Sequence, residues 1–230
     1  MKAILHIETS TPVCSVALSL DGGILYEKVS YEGPSHAALV GVYVQEALDV
    51  LRAEGLQLSA VAVSSGPGSY TGLRIGVSVA KGLCFGFGIP LISIPTLKLM
   101  ALEAVKRNGG VDSLYCAMLD ARRMEVYAAI FDKNLNEVRA VSADIIDANS
   151  YSAYLEKEKV CFFGNGSDKC KTVLTSPNAE FIYGVVPQAA NMLALAEEKY
   201  DKGDFENVAY YEPFYLKEFQ ATKAKNKVLG

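Results

Sequence analysis

A chain of 230 residues, half of them hydrophobic, can bury a sizeable core; it is long for one compact domain and short for two independent ones. Its formal net charge of −4 and pI near 5.3 argue against a broad phosphate-binding surface of its own. No run approaches the ~18 apolar residues of a membrane span, and the N-terminus has no signal-peptide layout because Glu8 ends its apolar run.

Residues 3–8 form one apolar run, 13–20 alternate, and Asp21-Gly22-Gly23 turns the chain into 24–30, so three strands are predicted at the start. A helix is predicted from about Ser35 to Glu54, ended by Gly55. A strand at 60–64, a glycine-rich turn, a helix at about 72–86, a strand at 91–94 and a helix opened by Pro95 follow. After Asn108-Gly109-Gly110 the order begins again: strands at 113–119 and 125–132, a helix at roughly 144–157, a strand at 159–163 and a helix at about 188–202. Two rounds of strands first and helices after predict an α/β chain of two related lobes, 1–108 and 109–220. The second lobe reads as degenerate, with its last helix packing back, and 221–230 as a disordered tail. The repeat rests on element order alone, for no residue-level repeat is evident between the halves. Five cysteines, odd in number and without a C-x-x-C pair, read as reduced, mostly buried thiols of a cytoplasmic protein.

The least ordinary segment is Ser64-Ser-Gly-Pro-Gly-Ser-Tyr-Thr-Gly-Leu-Arg-Ile-Gly76, which leaves a strand, turns on glycines and opens a helix. Free N–H groups and the positive helix end make such a junction a phosphate cradle in principle. It lacks the lysine of a Walker A loop, the third glycine of a dinucleotide fingerprint and the G-x-S-x-G of a nucleophile elbow. A tight turn capped by Ser69 or Thr71 explains it equally well.

This segment resembles the G-P-G-S-F/Y-T-G-x-R-I-G signature of the TsaB (YeaZ) family. Ile7-Glu-Thr-Ser10, Asp120-Ala-Arg-Arg-Met-Glu-Val-Tyr127 and Pro213-Phe-Tyr-Leu-Lys217 agree with it in order and spacing. The resemblance implies a two-lobed actin/Hsp70/sugar-kinase-like fold. It also implies a cytoplasmic, non-catalytic partner of a TsaD-like protein, which with a TsaE-like ATPase and a threonylcarbamoyl-AMP donor modifies adenosine beside the anticodon of tRNA. On this reading the chain meets tRNA only indirectly and forms a homodimer in isolation. No cofactor is bound firmly, ATP and magnesium being left to the level of the complex. Thr9, Ser10, Gly66, Gly68, Ser69, Thr71 and Gly72 are then the vestige of a phosphate loop. Two departures stand out: Glu8 where the family's first loop usually has aspartate, and Lys217 where arginine is usual. An ATP-binding enzyme of the same superfamily is the alternative reading, and an M22 glycoprotease-like peptidase a weaker one.

TsaD relatives carry a metal-binding H-x-x-x-H on a helix, whereas here His36 is followed four residues on by Val40. With only two histidines and no H-E-x-x-H, neither a metal site nor a catalytic set is expected. Asp120 and Glu125 flank a hairpin tip whose Arg122 and Arg123 are placed to neutralise them. The first two helices are apolar over more than the ~100° stripe that one sheet requires. Their surplus predicts either burial inside a larger core or, as the favoured reading, a subunit interface drawn from His36, Leu39, Val40, Tyr43, Ala47, Arg74, Gly76, Val77 and Ala80, with Gly72, Gly76 and Ala80 as a small-residue ridge.

Overall fold

The computed structural model describes residues 1–33 and 36–217. The first sheet has the order β3-β2-β1-β4-β5, from β1 (Ala3–Glu8), β2 (Cys14–Leu20), β3 (Gly23–Ser30), β4 (Ala60–Gly66) and β5 (Leu91–Pro95). The second repeats it as β8-β7-β6-β9-β10, from β6 (Leu114–Asp120), β7 (Glu125–Phe131), β8 (Glu137–Ile145), β9 (Val160–Phe163) and β10 (Ala179–Ile182). In both, the first strand is central, pairs antiparallel with the second and parallel with the fourth. This twice-used order is the actin-like arrangement.

Helix α1 (His36–Ala53) joins β3 to β4, and α2 (Tyr70–Phe87) joins β4 to β5. Both cover one face of the first sheet, where Leu5, Ile7, Val16, Val44, Leu48 and Val77 share one apolar cluster. β1 is buried along its whole length, which is why it reads as an apolar run interrupted at His6 and ended by Glu8. α3 (Thr96–Arg107) lies between the sheets: Leu99 joins Ile4, Ile92 and Ile94, while Met100 and Ala104 join Tyr115 and Phe163 of the second sheet. α5 (Leu193–Lys202) returns to the first sheet, bringing Met192, Leu195 and Ala196 onto the same face as Leu99.

The helices of the second half are reduced. The segment predicted as a helix at 144–157 instead carries the end of edge strand β8 and then α4, a single turn at Ser152–Leu155. Ser142 and Asp144 have the composition of a helix start. Here the Asp144 carboxylate accepts bonds from Arg139 Nη2, Ser142 Oγ and Tyr151 Oη, all at 2.7 Å, and this tertiary hub overrides the local helix preference. Neither β8 nor β10 is among the strands predicted from the sequence, and the helix predicted at 188–202 begins as a 3-10 turn at Ala189–Met192. The tail at 221–230 lies outside the described residues. All five cysteines are free and buried. Among the described residues no helix is long and apolar enough to cross a membrane.

Candidate functional site

The glycine-rich junction lies at the C-terminal end of β4, beside the loop that follows β1. Ser69 is the cap of α2: its Oγ accepts from Gly72 N at 3.2 Å, while its own N–H donates to Ser10 O at 2.6 Å. Thr71 is exposed and takes no part in the cap. Thr9 Oγ1 donates to Gly72 O at 2.8 Å. A β-carbon on Gly68 would collide with the main chain of Ser10, one on Gly72 with Thr9 O, and one on Gly76 with Thr9 Oγ1. The glycines are therefore needed so that the β1–β2 loop can lie on the start of α2. The cradle that the sequence suggests is occupied by the chain's own backbone.

Behind the junction lies a buried polar row. Glu8, Ser15 and Ser64 are cross-strand neighbours at the ends of β1, β2 and β4, all fully buried. Glu8 Oε1 accepts from Ser10 N at 2.6 Å, and the hydroxyls of Ser10 and Ser64 lie beside the carboxyl group without well-aligned bonds. Burial pushes the Glu8 carboxyl up to about 7, against the opposing pull of the Ser10, Ser64 and Thr9 donors. Glu8 thus points into the interior rather than into an open cleft. Among the described residues no cluster of three or more His, Cys, Asp or Glu could hold a metal ion.

Both histidines are structural. His36, 8% exposed, donates from Nε2 to Thr11 O at 2.7 Å and so fixes the same β1–β2 loop. His6 Nε2 lies 2.8 Å from Ser19 Oγ; both groups are fully buried, and burial lowers the imidazole to about 3. A Ser–His pair sealed in this way offers no route for a peptide substrate.

A C-terminal strap packs on the junction, and its Phe214 joins Ser65, Gly66 and Pro67 on the wall of an open cleft of about 610 Å³. Phe214 N donates to Ser65 O at 2.8 Å, and Phe214 O lies 2.5 Å from where a β-carbon on Gly66 would stand. Tyr215 packs on Tyr70 with ring centroids 4.7 Å apart, and Arg74 bonds Tyr70 Oη at 2.7 Å. Lys217 then reaches Glu125 of the β6–β7 hairpin at 2.5 Å. The four motif segments 7–10, 64–76, 120–127 and 213–217 therefore meet at one place. Lys169 pairs with Asp120, so the acids flanking the hairpin are neutralised by Lys169 and Lys217 and not, as the sequence suggested, by Arg122 and Arg123.

A residue-level repeat, missed in the sequence, is visible in this geometry. Gly164-Asn-Gly-Ser167 follows β9 just as Gly66-Pro-Gly-Ser69 follows the equivalent β4. Gly66 and Gly164 have φ of 101° and 95°, values open chiefly to glycine. Gly166 lies against Leu119 and Asp120 at the end of β6, as Gly68 lies against Ser10 after β1. G-x-G-S at equivalent strand ends was the available signal.

The expected interface residues divide. His36, Val40, Ala47, Gly76, Val77 and Ala80 are buried within the chain's own core, so the small-residue ridge faces inward, against Ile7 and Thr9. Leu39 and Tyr43 are half-buried and Arg74 is exposed. The outer face is offset by one position from most of them: Ala37, Gly41, Ile75 and Val79, with the expected Val40 and Arg74, line a groove of about 470 Å³ between α1 and α2. Val42 beside it is 52% exposed, and Phe85 near the end of α2 is 87% exposed.

Residues 14–225 match the family model described as TsaD: tRNA N6-adenosine threonylcarbamoyltransferase. The tRNA threonylcarbamoyladenosine biosynthesis protein TsaB of Escherichia coli K12 is 33% identical over 96% of both chains. The protein of that name from Bacillus subtilis 168 is 30% identical over 74% of each. Among solved structures, YeaZ from Pseudomonas aeruginosa has a TM-score of 0.78 at 25% identity, covering 94% of this chain and 100% of its own.

Proposed function

The chain belongs to the TsaB (YeaZ) family of tRNA threonylcarbamoyladenosine biosynthesis, and on that premise we propose that it serves there as a non-catalytic partner of a TsaD-like protein. One observation carries the reading. The α2 side of the glycine junction is filled by Thr9 and Ser10 of the same chain, while Ser65, Gly66, Pro67 and Phe214 border a cleft of about 610 Å³ on its other side; what α1 and α2 themselves leave for another molecule is their outer groove. That groove is apolar along Gly41, Ile75 and Val79, with Arg74 at one end and the 52%-exposed Val42 beside it. An exposed apolar groove between two packed helices suits a helix pair from a partner. A second copy of the chain takes the same face when the partner is absent. ATP with magnesium binds only at the level of the complex, because Glu8 is buried and the loop above Gly72 is closed. TsaE-like activity and tRNA reach the chain through that complex, in the cytoplasm.

The test is reconstitution of threonylcarbamoyladenosine formation from purified TsaD-like and TsaE-like proteins, the threonylcarbamoyl-AMP donor and tRNA. Product should form only when this chain is present, and Ile75→Asp should abolish both co-purification and product. Full product without the chain would reject the proposal. Micromolar ATP binding by the isolated chain would favour the ATP-binding enzyme instead.

A further inference from the structure

The tips of the two equivalent hairpins differ in a way that the partner role leaves unexplained. In the first sheet the loop after β1 turns inward: Thr9, Ser10 and Thr11 are buried and support the glycine junction. In the second sheet the loop after β6 turns outward and ends in Arg122 and Arg123, both exposed. Both arginines hold left-handed backbone, φ 70° and 50°, which side chains rarely adopt and for which glycine or asparagine is the favoured residue. The tip is held there by Arg122 N donating to Asp120 Oδ1 at 3.2 Å and Ala121 N donating to Glu125 O at 3.0 Å.

Neither guanidinium has a hydrogen bond, ion pair or ring contact among the described residues. The adjacent carboxylates are already taken, Asp120 by Lys169 and Glu125 by Lys217. Arg122, Arg123, Lys169 and Lys217 thus face two acids, leaving a local surplus of positive charge on a chain whose net charge is −4. The tip is also tied to the proposed partner face. Glu125 pairs with Lys217, Tyr215 two residues earlier stacks on Tyr70, and Tyr70 bonds Arg74 at the end of the α1–α2 groove.

We infer that Arg122 and Arg123 form a phosphate-contacting tip that engages the RNA backbone of the tRNA substrate held by the complex. Paired guanidiniums match phosphate oxygens in charge and in donor geometry. A contact with two phosphates agrees with an acidic chain that has no broad basic surface. The inference rests on the proposed role in tRNA modification and departs from the expectation that tRNA is met only indirectly.

The test compares the reconstituted complex carrying wild-type chain, R122A/R123A and R122N/R123G, with unmodified substrate tRNA as the probe. R122N/R123G puts the backbone-compatible residues at both positions, so its thermal midpoint should equal or exceed that of the wild type. Both variants should co-purify with the TsaD-like protein in normal yield. Their tRNA affinity at about 150 mM salt should fall about ten-fold, and the slope of log K against log salt should become shallower by about 1.5. Unchanged affinity and slope in variants that pair normally would overturn the inference while leaving the partner role intact. Loss of pairing would overturn it in favour of an acidic protein surface as the ligand of the tip. Failure of the wild-type complex to bind tRNA would overturn both readings.

Discussion

Thr9 and Gly72 hold the β1–β2 loop against the start of α2: Thr9 Oγ1 donates to Gly72 O at 2.8 Å, and the Thr9 carbonyl fills the space a side chain on Gly72 would need. The obstacle is backbone, which cannot swing aside as a flexible side-chain end can. Gly72→Ala should therefore destabilise the chain by about 2 kcal/mol or more, as overpacking does in a well-filled interior. Gly82→Ala on the same helix has open space around it and should be neutral or stabilising. Urea unfolding of the two variants checks the contrast.

The buried pair Glu8 and His6 gives opposing pH dependences. Glu8 titrates near 7 in the folded chain and near 4.5 when unfolded, so stability is lost as pH rises from about 4.5 to 7. His6 titrates near 3 when folded and near 6.5 when unfolded, so stability is lost as pH falls from about 6.5 to 3. In the overlap the two slopes cancel in the parent. Glu8→Gln should be roughly 3 kcal/mol more stable than the parent at pH 8 and near parental at pH 4, its advantage growing between about pH 4.5 and 7. Denaturant midpoints taken at intervals of one pH unit would reveal the change in slope; a parallel shift at all pH values would refute it.

The inward ridge and the outward groove of α2 make separable predictions. Gly76→Asp would drive a carboxylate into Thr9 and should unfold the chain rather than unpair it. Ile75→Asp and Val79→Asp lie on the groove but are half-buried against the first core cluster, so they should lower the thermal midpoint while leaving the chain folded and abolishing pairing. Circular dichroism and co-purification on the same samples distinguish the two classes.

The strap should be locally mobile once its charge anchor is cut. The Lys217–Glu125 pair is partly exposed, with side-chain exposures of 46% and 22%, so Lys217→Ala should cost under about 1 kcal/mol of global stability. Hydrogen exchange at the Phe214 amide, which bonds Ser65 O, should nonetheless speed up well beyond that of β1.

Much of the fold was legible because β1 and β4 are buried on both faces and read as mainly apolar runs, and because Gly55 and the Asn108-Gly109-Gly110 segment mark breaks that the chain uses. The second half was less legible. Asp144 has a helix-start composition, but its partners Arg139, Ser142 and Tyr151 come together only in the folded chain. The candidate site was visible as four motifs, yet their meeting point depends on Phe214 and Lys217 crossing from one sheet to the other. The facing of α2 was misread because a Gly72–Gly76–Ala80 ridge looks alike whether it receives a partner helix or its own Thr9. Only the position of the β1–β2 loop decides between them.

The most direct measurement is the rate of threonylcarbamoyladenosine formation by the TsaD-like and TsaE-like proteins, with this chain titrated in. The partner role predicts no product in its absence, saturation near one chain per TsaD-like protein, and no rescue by Ile75→Asp. A full rate without the chain, or undiminished activity with Ile75→Asp, would contradict it.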